Sequence, residues 1–275
     1  MAKTRSAFSS ASIQKRIKDG RGSGRGCEYK PWLTVRDCAS QGRSHRVFGH
    51  KSQRTHHLLS DLELAVFLLL EWHKDTEEIR EQFPLRLEET IELAKDAGVR
   101  HPSMNGVNQV MSSDFLINTM DKSQPKFAIQ AKYVDSLQDV RVVEKLELER
   151  RYWIEKAVPW MIITEQDIPK SVFDNINWLY PAQKDEMTRP ELYERVEFYR
   201  HHFEEMGSRS IIEVAKSLDI AYHQEPGNSL LEIRQLLSRR CFVFDITSPY
   251  RKLKASELSV SEMSALAEVL YVSNQ

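Results

Sequence analysis

Glu63, Asp114, Gln130 and Lys132 are the residues of this 275-residue chain whose types and spacing fit a chemical task. Two carboxylates and an amide oxygen are hard ligands of the kind Mg²⁺ prefers. A lysine beside them can hold an attacking water or offset charge on a phosphate. Asp114 lies in Val110-Met-Ser-Ser-Asp-Phe-Leu-Ile117, and Gln130 and Lys132 lie in Phe127-Ala-Ile-Gln-Ala-Lys132. Both runs read as short apolar strands. Residues two apart on a strand share a face, so Gln130 and Lys132 project together. If the two strands pair, that face also presents Asp114, and the Ala131 carbonyl can add an oxygen. Glu63 would enter from the preceding helix, and Glu149, within Lys145–Trp153, could lie near the same metal as an auxiliary. The chemistry open to this set is metal-dependent hydrolysis of a phosphodiester.

Each member also has a plainer reading. Glu63 fits the N3 position of a capping box with Ser60. Asp114 could end a turn after Ser112 and Ser113, and Gln130 and Lys132 could be the solvent face of an edge strand. Glu149 fits a charged amphipathic helix. On these residues alone a nuclease, stand-alone or otherwise, and a non-catalytic DNA-binding regulator both stay open, because short motifs recur by chance.

The elements that must position the set follow from periodicity and breakers. Ser9–Asp19 reads as a basic helix stopped by Gly20, followed by a flexible basic linker over Gly20–Gly26 that lacks the spacing of a phosphate-binding loop. Arg43–Leu58 reads as a polar β-hairpin, with His45, His50, His56 and His57 in surface or phosphate-contacting roles rather than on zinc. Next come a helix over 60–74, a strand over 77–83 turning at Pro84, a helix over 88–97 ending at Gly98, and a loop over 100–109. Strands over 110–118 and 126–132, a helix over 137–157 and a strand over 159–164 complete an α/β core with a mixed sheet. Pro169, Pro181 and Pro190 mark a boundary region over 165–190. Beyond it lie helices over 190–206, 208–218 and 229–239, a β run over Cys241–Ile246 and a terminal helix near 255–270. Three helices and a short β-wing resemble a winged-helix unit able to contact DNA or protein.

Composition narrows the class. The longest apolar run, Ala65–Leu70, is far too short for a membrane span, and no secretory signal opens the chain, so a cytoplasmic protein without a membrane partner is expected. Cys27, Cys38 and Cys241 are odd in number and widely spaced, which suits reduced thiols. The net charge of −1 hides an asymmetry: residues 1–60 hold 13 Lys/Arg against 3 Asp/Glu, and the rest holds 26 against 37. A basic arm on an acidic body suits contact with nucleic-acid phosphates, or a solvated tail.

The same residues sit in segments that, taken in order, resemble a known family. These are Gly42-Arg-Ser-His-Arg46, His57-Leu-Leu-Ser-Asp-Leu-Glu-Leu-Ala-Val-Phe67, Ile79-Arg-Glu-Gln-Phe-Pro-Leu85, Gly106-Val-Asn-Gln-Val-Met-Ser-Ser-Asp-Phe-Leu116, Phe127–Lys132 and Lys145–Trp153. Ile211–Ala221 and Leu231-Glu-Ile-Arg234 continue it more loosely. The chain resembles TnsA, the endonuclease subunit of heteromeric cut-and-paste transposases. The resemblance implies a restriction-endonuclease-like catalytic domain over 1–168, with the basic arm, and a winged-helix-like domain over 169–275. It implies Glu63, Asp114 and Lys132 as the catalytic set, Gln130 as a metal ligand, and Mg²⁺ or Mn²⁺, as two ions, as cofactor. The implied substrate is transposon-end DNA cut on its 5′ strands, and the implied partners are the transposase subunit TnsB and the ATPase TnsC. Gln130 stands where many such sites carry a second carboxylate. Glu63, Asp114 and Lys132 then sum to only −1, so weak Mg²⁺ binding by the isolated subunit is expected.

Overall fold

The computed structural model describes residues 8–37, 43–184 and 188–261. The chain divides into two compact units, the second beginning at Pro169.

In the first unit α1 (Ser10–Lys18) starts at the Ser9 cap, whose side chain accepts from the Ser12 amide. It buries Ile13 with Trp32 and Leu33, and Phe8, Leu59, Val107 and Val110 pack on this cluster. The Gly20–Gly26 stretch is not the free linker its composition predicts. The Gly22 amide donates to Lys30 O, and the Gly26 amide donates to the Glu78 carboxylate at 2.7 Å. A Cβ on Gly22 would meet the Pro84 ring at 2.1 Å, so this glycine permits close packing of the arm on the sheet.

Strands β1 (His45–Gly49) and β2 (Arg54–Leu58) form an antiparallel hairpin. It is anchored rather than polar throughout. Glu81, fully buried, accepts from Arg54, from His56 Nδ1 at 2.8 Å and from the His57 amide at 3.1 Å. His56 is therefore a buried partner of Glu81, not a surface histidine, and no zinc is needed to explain it. Helix α2 (Asp61–Trp72) follows, burying Leu62, Val66, Phe67 and Leu68.

The central sheet contains β3 (Thr76–Pro84), β6 (Ser112–Thr119), β7 (Lys126–Ala131) and β8 (Trp160–Ile163) in that order. The first two pairings are antiparallel and the last is parallel, because α4 (Val140–Glu155) carries the chain across between β7 and β8. Between β3 and β6 lie α3 (Leu87–Asp96) and a small hairpin, β4 (Ser103–Met104) with β5 (Val107–Asn108), in the stretch predicted as plain loop. Asn105 and Gly106, both at positive φ, make its turn. Helices α3 and α4 pack Leu93, Leu148, Tyr152 and Trp153 against Leu116 and Ala128. Phe115, Ile117 and Ile129, which alternate with these, are buried too, so both faces of the sheet are covered.

The second unit is mainly helical: α5 (Lys170–Leu179), α6 (Arg189–Glu205), α7 (Ile211–Ala221) and α8 (Asn228–Ser238). Helix α5 occupies the stretch read as a boundary. Its prolines bracket helices rather than a linker: Pro169 precedes α5, Pro181 follows it, and Pro190 sits in the first turn of α6. Of the predicted β run only Phe242–Val243 (β9) is strand, paired with Ser259–Val260 (β10). A terminal helix from 255 is not formed over the described residues. Ala255–Glu257 make one 3-10 turn, and the Ala255 amide donates to Arg209 O and the Ser256 amide to Gly207 O, which ties this stretch to the turn before α7. Residues 262–275 of that predicted helix lie outside the described residues. Among the described residues no helix is long and apolar enough to cross a membrane.

Candidate active site

The site forms where β6 and β7 part. Their ladder ends at the Phe115–Ile129 pair. Beyond it side chains take over the backbone donors. The Asp114 amide donates to Gln130 Oε1 at 3.0 Å, and the Ala131 amide donates to Asp114 Oδ2 at 2.9 Å. On its other edge β7 keeps its parallel pairing, with the Lys132 amide donating to Ile163 O at 3.0 Å. One strand is thus held while its neighbour lets go, and Asp114 and Gln130 fill the opening.

Glu63 reaches this opening from the first turn of α2. Its amide donates to Ser60 Oγ at 3.1 Å, the usual N-cap bond. The carboxylate does not close a standard capping box on the Ser60 amide. It accepts instead from the Leu59 amide at 2.9 Å and from Ser60 Oγ at 3.2 Å. The cap therefore fixes Glu63 in place and still leaves it facing the sheet.

Gln82, which sequence reasoning missed, joins the two acids. Its Nε2 donates to Glu63 Oε2 at 3.1 Å and to Asp114 Oδ1 at 3.4 Å, while its Oε1 accepts from Ser112 Oγ at 3.3 Å. It is buried on β3 and has φ of +48°. Its left-handed backbone, uncommon for a residue other than glycine, lies between two pairs that keep one register, Glu81–Phe115 and Phe83–Ser113, and sets the direction of its side chain. The signal in the sequence is a buried amide within Ile79–Leu85, but its direction depends on a backbone twist that periodicity does not report.

Lys132 donates to Asp114 Oδ2 at 3.4 Å and to Ala131 O at 2.9 Å. Glu63, Gln82, Asp114, Gln130, Ala131 and Lys132 therefore form one connected cluster. Glu149 does not join it by a direct bond. It accepts from Ser113 Oγ at 2.6 Å and Trp160 Nε1 at 2.9 Å, and Ser113 Oγ accepts from Trp153 Nε1 at 2.8 Å. It is buried on α4 and bonded to Ser113, the chain neighbour of Asp114. A cavity of about 480 Å³ opens beside the cluster, lined in part by Ser112, Gln130, Lys132 and Glu149.

The electrostatics are those of a pair of acids short of positive charge. Burial, and then the charge of Asp114, push Glu63 up to about 8. Burial likewise pushes Glu149 up to about 8, against the pull of Ser113 and Trp160. Lys132 pairs with Asp114, and its charge also reaches Glu63. This donor set fits a divalent cation: hard oxygens from Glu63 and Asp114, with the neutral oxygens of Gln130 and Ala131 beside them. Among the described residues no group of three or more His, Cys, Asp or Glu comes together as a metal cluster, so neutral oxygens or substrate would have to complete the shell.

A mixed sheet of this order, flanked by helices and followed by a helical unit, is a restriction-endonuclease-like arrangement. Residues 73–165 match the family model described as TnsA-like endonuclease N terminal, and residues 167–246 match TnsA endonuclease C terminal. The chain is 48% identical over 274 residues to the Transposon Tn7 transposition protein TnsA of Escherichia coli, covering 100% of both chains. The chain belongs to the TnsA endonuclease family.

Proposed function

We propose that this chain is the Mg²⁺-dependent endonuclease subunit of a heteromeric transposase, hydrolysing the 5′ strands at transposon ends. The observation that carries the reading is the meeting of Glu63, Asp114 and Lys132 at the splayed end of two strands, with Gln130 and the Ala131 carbonyl alongside. In this reading Glu63, Asp114, Gln130 and Ala131 hold Mg²⁺, or Mn²⁺ in its place, as two ions. Bound there, the metal supplies Lewis-acid activation of water and of the scissile phosphate. Lys132, held by Asp114 and Ala131 O, orients the attacking water or offsets charge on the phosphate. Glu149 positions Ser113, the neighbour of Asp114, from the α4 side.

The transposase subunit TnsB and the ATPase regulator TnsC are the proposed partners, with transposon-end DNA as substrate. The burial of Glu63, which disfavours its charged form, and the small net charge of the cluster favour weak metal binding until a phosphate enters. Strand-mapped cleavage of end-labelled transposon DNA tests the reading. With the partner subunits, Mg²⁺ should restore 5′-strand cuts that chelator abolishes. Cutting that persists in chelator, or that maps to the 3′ strands, would overturn it.

A further inference from the structure

The cavity beside the cluster has a lining that hydrolysis does not use. Its interior is apolar, from Leu33, Val110, Met111, Val142, Leu146 and the ring of Phe8. Three cations besides Lys132 line it: Arg100, Arg141 and Lys145. Among the described lining residues Glu149 is the one carboxylate, and it is already engaged by Ser113 and Trp160.

Phe8 is fixed in place. The Gln109 carboxamide accepts from the Phe8 amide and donates to the Phe8 carbonyl, each at 3.0 Å. The Arg16 guanidinium lies 3.9 Å from the ring centroid. An aromatic ring clamped at its backbone and backed by a guanidinium is a preformed stacking platform.

A paired duplex offers a protein its phosphates and groove edges, neither of which fills an apolar cavity. An unstacked base does fill one, and its flanking phosphates suit nearby cations. The volume lies within the range of small-ligand pockets, roughly 300–1,000 Å³. We propose that this cavity binds an unpaired nucleotide of the DNA strand next to the scissile phosphate, its base against Phe8 and the apolar side chains and its phosphates toward Arg100, Arg141 and Lys145. The inference rests on the nuclease reading of the adjoining cluster.

The test is binding, not cleavage. The full-length chain, in chelator, is titrated with a short single-stranded oligothymidylate and with an abasic oligomer of equal length, following fluorescence anisotropy at several salt concentrations. The base-bearing oligomer should bind at least about fivefold more tightly, the low end of what one stacked base contributes. Phe8→Ala should lower its affinity roughly tenfold and leave the abasic oligomer unchanged, and Phe8→Trp should restore it. Arg141→Ala, in the first turn of α4 where the guanidinium also pairs with Glu144, should weaken both oligomers and reduce the salt slope by about 0.7. Equal affinity for the two oligomers would overturn the proposal and leave the cavity to backbone alone or to an apolar segment of a partner. Absence of oligothymidylate binding by the parent chain would overturn it as well. Because cleavage plays no part in these readouts, an Asp114→Ala variant that still cut DNA would sink the assignment of cleavage to the adjoining cluster without touching the pocket result.

Discussion

At the residue scale the site is a balance between two buried acids and the donors that hold them. Gln82 is the donor common to both, so its loss should loosen the pair without unfolding the sheet. Gln82→Ala is expected to lower cleavage by roughly 10- to 100-fold, the usual cost of removing a group that orients metal-binding side chains. Cleavage rates and Mg²⁺ titration on one preparation, with thermal melting to confirm the fold, would check this. Glu149 supplies a separate test through pH. Its folded pKa, about 8, lies above its ordinary value of 4.5. The folded chain therefore keeps a proton that the unfolded chain releases, and this contribution to stability is lost as pH rises from 4.5 through 8. Glu149→Gln should remove that loss, so its stability relative to the parent should rise between pH 5 and pH 8 in urea melts. A constant difference across that range would contradict the assignment. The quartet was legible in the sequence because a cap motif and strand alternation report side-chain direction locally. Gln82 was not, because its direction depends on one left-handed residue inside a strand.

At the element scale the opening of β6 from β7 depends on the sheet being firmly held elsewhere. The hairpin of β1 and β2 is tied to β3 by Glu81, which gathers Arg54, His56 and the His57 amide in the interior. Opposite charges around Glu81 hold its carboxyl far below the usual range. Glu81→Ala should leave Arg54 buried without its partner and cost about 3–5 kcal/mol, which chemical denaturation can measure. A loss within the scatter of surface substitutions would mean that water reaches Arg54 freely. The elements with a clear apolar pattern were readable from sequence: α2, β3, β6, β7, α4 and β8 lie close to their predicted ranges. Others were not. The β4–β5 hairpin rests on one Asn-Gly turn, α5 sits among prolines, and the stretch after Lys254 pairs with Gly207 and Arg209. For α5 and the stretch after Lys254 contacts distant in sequence decide the backbone, as between Asn175 and Tyr250, whereas the hairpin's Asn-Gly signal is local and lies between strands of two residues each.

At the scale of the whole molecule residues 8–37 of the basic N-terminal segment pack on the unit that carries the candidate site. Helix α1 packs beside Leu59, next to the Ser60 cap that positions Glu63, and Phe8 reaches the cavity beside the site. Charge asymmetry along the chain was legible, but its attachment to the sheet was not, since three buried residues and a tight glycine contact carry it. A cluster with only two carboxylates and one lysine should bind Mg²⁺ weakly in the isolated chain and more tightly once DNA supplies phosphate oxygens. Calorimetry with and without DNA should show that increase, and equally tight binding without DNA would contradict it. The most direct measurement is strand-specific cleavage by Asp114→Ala in the complete transposition reaction. The 5′-strand cuts should disappear while assembly with the transposase subunit and 3′-strand cutting persist. Normal 5′ cutting by that variant would show that the chemistry lies elsewhere.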